Sequence, residues 1–140
     1  MITEIQKVKA MRELTDNVED ALLASILLYS TGESDRAVIN EVAQILSPSD
    51  FTKAPYQGTV IDRGKIFDAM LTCKNAPHQI NVGVELQRKG ELNGLEIAFM
   101  SHVISQCPTH LDYLDYAKAV LECSQYRNPK RKSPVNTFEV

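Results

Sequence analysis

V-E-D-A-L-L-A-S-I-L-L-Y, Val18–Tyr29, is the stretch that decides the fold. After its first turn it is apolar around most of a helical circumference, and such a helix belongs in the middle of a core. Asp16 or Asn17 is expected to cap it, and Glu19 and Asp20 suit the positive end of its dipole. Thr31-Gly32 ends it, with Gly32 fit for a left-handed residue after the last turn. The longest unbroken apolar run, Ile26–Tyr29, falls far short of the roughly 20 residues of a membrane span. The stretch Met1–Glu13 mixes charged and apolar residues and lacks the apolar centre of a signal peptide. The expectation is a cytoplasmic protein with no membrane contact.

Helical patterns continue on the carboxy-terminal side. Val38, Ile39, Val42, Ile45 and Leu46 form one stripe of a helix over about Asp35–Leu46, opposite a wet face of Arg36, Asn40, Glu41 and Gln44. Ser47-Pro48-Ser49-Asp50 stops it, and Phe51 returns to the core. Residues 52–63 read as irregular: Pro55 and Gly58 argue for a loop, and Thr59-Val60-Ile61 is too short for a strand. Helices follow over about Gly64–Cys73 and Asn81–Lys89, then one capped by Asn93 with Glu96 in the capping-box position, then one from Thr109 to about Gln125. No strand alternation and no internal repeat is present. The pattern predicts an all-α single compact bundle of about six helices, with an N-terminal segment 1–13, a helical domain 14–126 and a basic flexible tail 127–140. At 140 residues, with 44% hydrophobic and 24% charged side chains, one core can form without metals or disulfides. Cys73, Cys107 and Cys123 are odd in number, widely spaced and without a C-x-x-C, so they read as reduced thiols.

Catalytic patterns are not found. The nearest approach to a phosphate loop, Gly58–Ile66, has one residue too many between its glycines and Ile66 where a magnesium-binding hydroxyl belongs. Asp112 and Asp115 read as solvated helix-face acids, and His102 as a core-edge histidine. No catalytic residue, cofactor or metal site is therefore expected. Charge is uneven: residues 1–126 hold 11 of the 15 basic and 17 of the 18 acidic side chains, whereas Arg127, Lys130, Arg131 and Lys132 crowd into six positions. That run reads as a solvated terminus and as the one weak candidate for nucleic-acid contact. Residues 64–89 also permit a helix-turn-helix reading, although Asn81, Val82, Gly83 and Val84 are poor base readers for the start of a recognition helix.

Five motifs taken in order resemble the N-terminal domain of DnaB-type replicative helicases. Val18–Leu28 is similar to its first core helix, and I-L-S-P-S-D-F (Ile45–Phe51) to its I-L-x-P-x-D-F turn. I-F-D-A-M-L (Ile66–Leu71) and E-L-Q-R-K-G-E-L (Glu85–Leu92) match two further helices. Gly94-Leu95, Cys107-Pro108 and Tyr116-Ala117 follow the closing pattern. The register holds over about residues 14–126. Departures are a longer stretch between Phe51 and Ile66, a shorter loop around Lys74–Ile80, and no counterpart of the family's C-terminal helical hairpin or RecA-like motor.

The resemblance implies a non-catalytic protein-interaction and oligomerisation module. In the family this domain forms a collar above the motor ring and offers a docking surface for primase. It implies a homo-dimer or higher oligomer, helicase subunits or the motor domain as partners, primase docking, and only indirect contact with DNA. A stand-alone relative acting on a helicase fits equally. Residues 93–126 carry more apolar positions than one inward stripe uses. Leu95, Ile97, Met100, Ile104, Leu111 and Leu114 are therefore the candidate interface. The competing reading is a small helical DNA-binding or regulatory protein using residues 64–89 and the basic tail.

Overall fold

The computed structural model describes residues 2–30, 32, 35–107 and 112–131. Among them are six α-helices, α1 (Glu4–Tyr29), α2 (Ala37–Ala43), α3 (Arg63–Thr72), α4 (Gln79–Arg88), α5 (Glu96–Ser105) and α6 (Tyr113–Arg127). A 3-10 turn (Pro48–Asp50) and a hairpin of β1 (Lys53–Tyr56) and β2 (Thr59–Asp62) lie between α2 and α3. None of the described helices is long and apolar enough to cross a membrane.

Helix α1 is the axis of the bundle, with α6 and α5 packed along it. Its residues from Leu22 to Leu27 are all buried, as a helix apolar on every side requires. It begins well before the expected caps Asp16 and Asn17. The cap is Thr3, whose hydroxyl accepts from the Gln6 N–H (3.2 Å) while the Gln6 side chain accepts from the Thr3 N–H (2.9 Å). This reciprocal pair satisfies two amide groups that a helix start leaves without partners. Residues 4–13 thus continue α1 rather than forming a separate segment.

The stretch expected to be irregular is the hairpin. Gln57 and Gly58 both adopt positive φ (48° and 79°), the two-residue turn whose twist matches paired strands. Ala54 faces Ile61 on the buried side, and Pro55 faces Val60 on the exposed side; the sheet has two strands, so β1 is an edge strand, where proline is tolerated. Tyr56 sets its ring edge-on against Phe99 of α5, with centroids 5.5 Å apart. Phe51 enters the core as expected and stacks on Phe67 at 4.6 Å. Gly64 lets α3 approach the 3-10 turn, since a Cβ there would stand 2.7 Å from the Pro48 carbonyl oxygen.

Helix α2 is shorter than its pattern suggested. Arg36, expected on the wet face, lies just before α2 and donates to the carbonyls of Cys73 (2.6 Å), Leu71 (3.0 Å) and Asn75 (3.1 Å). It closes the negative end of α3 and ties it to α2. Asn93 is not the cap of α5: the helix starts at Glu96 with Leu95 at its N-cap and no side-chain cap bond. Glu96 instead accepts from the Asn93 and Gly94 N–H groups (2.8 and 3.1 Å) of the turn that leads into it. Asp112, as N-cap, accepts from Leu114 and Asp115.

Among the described residues the core contains one buried cation. Arg63, 2% exposed, donates to Asp20 (2.8 Å), Asp16 (3.1 Å) and the Thr52 hydroxyl (3.1 Å), and lies 3.8 Å from Glu19. Glu19, wholly buried, accepts from the Thr52 N–H (2.6 Å) and hydroxyl (2.9 Å). Burial pushes the Glu19 and Asp20 carboxyls above their usual range, against the pull of these hydrogen bonds and of the Arg63 charge.

Two outcomes follow from this packing. Leu23→Ala or Leu27→Ala should cost about 2–5 kcal/mol in chemical denaturation, through lost transfer energy and the cavity left. A loss under about 1 kcal/mol at both positions would make α1 peripheral. Arg63→Met should cost about 3–5 kcal/mol near neutral pH, because it leaves buried carboxylates without their cation. Glu19 and Asp20 hold their protons to higher pH folded than unfolded, and more so without Arg63. The deficit of the variant should therefore shrink as pH falls through their raised pKa values. A deficit that does not change with pH would contradict the charge account.

Candidate functional site

The residues expected to form an interface are mostly consumed by the bundle. Helix α5 contacts α1 on one side and α4 on another, and Tyr56 covers a third. Met100 is 1% exposed and belongs to the core, so it is not a surface contact in this fold. Leu95 and Ile104 pack partly buried against that core, and Leu114 is half-buried. Leu111 lies outside the described residues. Ile97 remains, 39% exposed. It leans over α4 at Gly83, where a Cβ would stand 2.6 Å from its Cδ1. Ile80 and Val84, one turn apart on α4, flank that contact and are 73% and 53% exposed. Ile80, Val84 and Ile97 thus make an apolar patch that crosses from α4 to α5. The sequence points to Val84 only as a poor base reader and not to Ile80, because the stripe of α4 that matters for folding is Val82 and Leu86.

The basic run is not the free tail that its composition suggested. Arg131 grips the buried Asp50 carboxylate with two bonds of 2.7 Å and donates to the Ile45 carbonyl at 3.2 Å. Arg127 donates to the Asp50 carbonyl (2.9 Å), and the Ser124 hydroxyl donates to the same carboxylate (2.7 Å). Burial alone would raise the Asp50 carboxyl. The bonds from Arg131, Ser124 and the Ser47 N–H outweigh it and hold Asp50 below the usual carboxylate range. Two of the four candidate nucleic-acid contacts are therefore engaged within the fold. Lys130 is exposed, and Lys132 lies outside the described residues.

The helix-turn-helix candidate is occupied as well. Val82 and Gly83 at the start of α4 are buried, and the Asn81 side chain donates to the Ala76 carbonyl (2.8 Å). At the end of α4, Arg88 pairs with Glu85 (2.7 Å) and Lys89 with Asp68 (2.6 Å). The two glycines of the phosphate-loop approach serve unrelated ends, Gly58 in the hairpin turn and Gly64 against Pro48. His102 is exposed at the edge of Tyr56, centroids 5.6 Å apart. All three cysteines are free, and burial pushes the Cys73 and Cys107 thiols up, away from the reactive thiolate. Among the described residues no group of three or more His, Cys, Asp or Glu is placed to hold a metal ion.

What the geometry offers is a helical body with apolar surface to cover. The family model of the DnaB-like helicase N-terminal domain matches residues 12–122. Among solved structures, the chain is similar to the crystal structure of the N-terminal domain of DnaB helicase from Mycobacterium tuberculosis, with 25% sequence identity and a TM-score of 0.63. That likeness covers 79% of this chain and 74% of the other. No curated protein sequence matches it. The motifs, the helical bundle and the match over most of its length agree, and the chain belongs to the DnaB-like helicase N-terminal domain family.

Proposed function

We propose that this chain is a non-catalytic protein-interaction and oligomerisation module of a replicative DNA helicase, or a stand-alone relative that acts on such a helicase from the cytoplasm. Its partners are further copies of itself, helicase subunits and primase. The observation that carries this reading is the family match over residues 12–122. The apolar patch of Ile80, Val84 and Ile97 supports it, since exposed apolar surface of this kind commonly marks an interface. A two-fold arrangement lets one such patch cover itself.

Sedimentation over a concentration series checks the self-association. The expected result is a dimer that Ile80→Asp or Ile97→Asp disrupts without loss of helical circular dichroism, both side chains being exposed. A single monomeric species up to roughly millimolar protein would contradict it, because even weak specific association is populated at that concentration. The purified chain should turn over no ATP. Direct DNA binding is not part of this reading: any affinity should be weak, fall steeply with salt, and be unaffected by Ile97→Asp. Tight, salt-insensitive binding to a particular duplex would favour the DNA-binding alternative.

A further inference from the structure

We propose that the groove between the first turns of α1 and the last turn of α6 docks an acidic amphipathic helix from another protein. Residues 4–10 of α1 are all exposed, and Ile5 (81%) and Val8 (67%) stand on this uncovered arm. A stretch of helix this short gains little from its own hydrogen bonds, and most helical stability comes from packing an apolar face. Where the arm meets the body it walls a groove of about 300 Å³. Val8 and Met11 form one apolar side, and Tyr126, 70% exposed, forms the other.

The rim gives the chemistry of the occupant. Arg12, Lys53 and Arg127 surround the apolar floor, and none of them has an ion pair among the described residues. Arg127 donates to a backbone carbonyl and makes no direct contact with a carboxylate among the described residues. The one acid of the rim, Asp16, is bonded to Arg63 at 3.1 Å. A cationic rim on a chain of net charge −3 selects an acidic partner. Val8, Met11 and Thr15 follow each other at helical spacing, a ridge that fits the groove of a second helix. Nucleic acid fits less well, since stacking has only one exposed ring to use and the floor is apolar.

The proposal rests on the reading of the chain as an interaction module, but not on its self-association or on any helicase. It is tested with the full chain and three fluorescent probes, measured by anisotropy at rising salt. The probes are a designed amphipathic peptide of roughly 18 residues with Leu at helical spacing and Glu on its flanks, the same peptide with Lys for Glu, and a single-stranded oligothymidine. The Glu peptide should bind with an affinity that falls with salt, at least about tenfold tighter than the Lys peptide. Arg12→Glu combined with Lys53→Glu should remove that preference while leaving circular dichroism unchanged, and Tyr126→Ala should weaken both peptides. Equal binding of the two peptides, no binding of either, or a preference that survives charge reversal would overturn the proposal. So would tighter binding of oligothymidine, or peptide binding seen only after removal of residues 132–140, which would give the groove to this chain's own end. Each of these outcomes leaves the self-association result standing, and a monomer in sedimentation leaves this test intact.

Discussion

A guanidinium closed inside an apolar bundle constrains everything around it. Arg63 cannot be left there unpaired, since a buried charge without partners is costlier than most single contacts are worth. Its partners must therefore arrive together: Asp16, Glu19 and Asp20 from one face of α1, and Thr52 from the chain leading into the hairpin. Because Arg63 is also the first residue of α3, this cluster fixes where α3 starts, how the hairpin leaves the 3-10 turn, and the rotation of α1 about its own axis. Rotation of α1 then decides which of its sides meet α5 and α6.

A second buried charge works at the other end of the same segment. Asp50 closes the 3-10 turn by accepting from Ser47, and is held by Ser124 and Arg127 from the end of α6 and by Arg131 just beyond it. Arg36 performs a related task at the end of α3, where it gathers carbonyls that the helix leaves unpaired. Each of these groups joins segments far apart in sequence. The aliphatic core supplies most of the burial energy, and these polar contacts choose one arrangement among the several that an apolar bundle allows. The uncovered surfaces, the α4–α5 patch and the α1–α6 groove, are what that arrangement leaves over.

The aliphatic periodicity of α3, α4 and α6 and the return of Phe51 were readable because they depend on neighbours a few residues away, whereas α2 ends at Ala43, before the stop expected at Ser47-Pro48. The errors share a cause. Glu19 and Asp20 look like dipole partners only if the helix starts beside them, and Thr3 with Gln6 moves that start to Glu4. Once the helix is extended, three acids at Asp16, Glu19 and Asp20 share one face and call for a cation, a signal present in the sequence. Arg127 and Arg131 resemble a mobile basic run because their partner, Asp50, is more than seventy residues away. The hairpin escaped notice because its strands have four residues each and its turn uses Gln57 rather than Asn or Asp ahead of Gly58. Of the candidate interface, Ile97 is exposed while Met100 is not, a distinction that needs the position of α4 and not only the periodicity of α5.

The dependence of the bundle on its buried charge is tested most directly by a double-mutant cycle between Arg63 and Glu19, read by denaturant unfolding at neutral pH. Glu19→Gln keeps an acceptor for Thr52 and removes the charge, and Arg63→Met keeps an unbranched apolar stem while removing the guanidinium. If the two groups sustain each other, the double variant should be more stable than the sum of the single losses predicts, with a coupling of about 1–3 kcal/mol. Losses that add to within about 0.5 kcal/mol would contradict the account, because they would mean that α1 and α3 find their places without this pair.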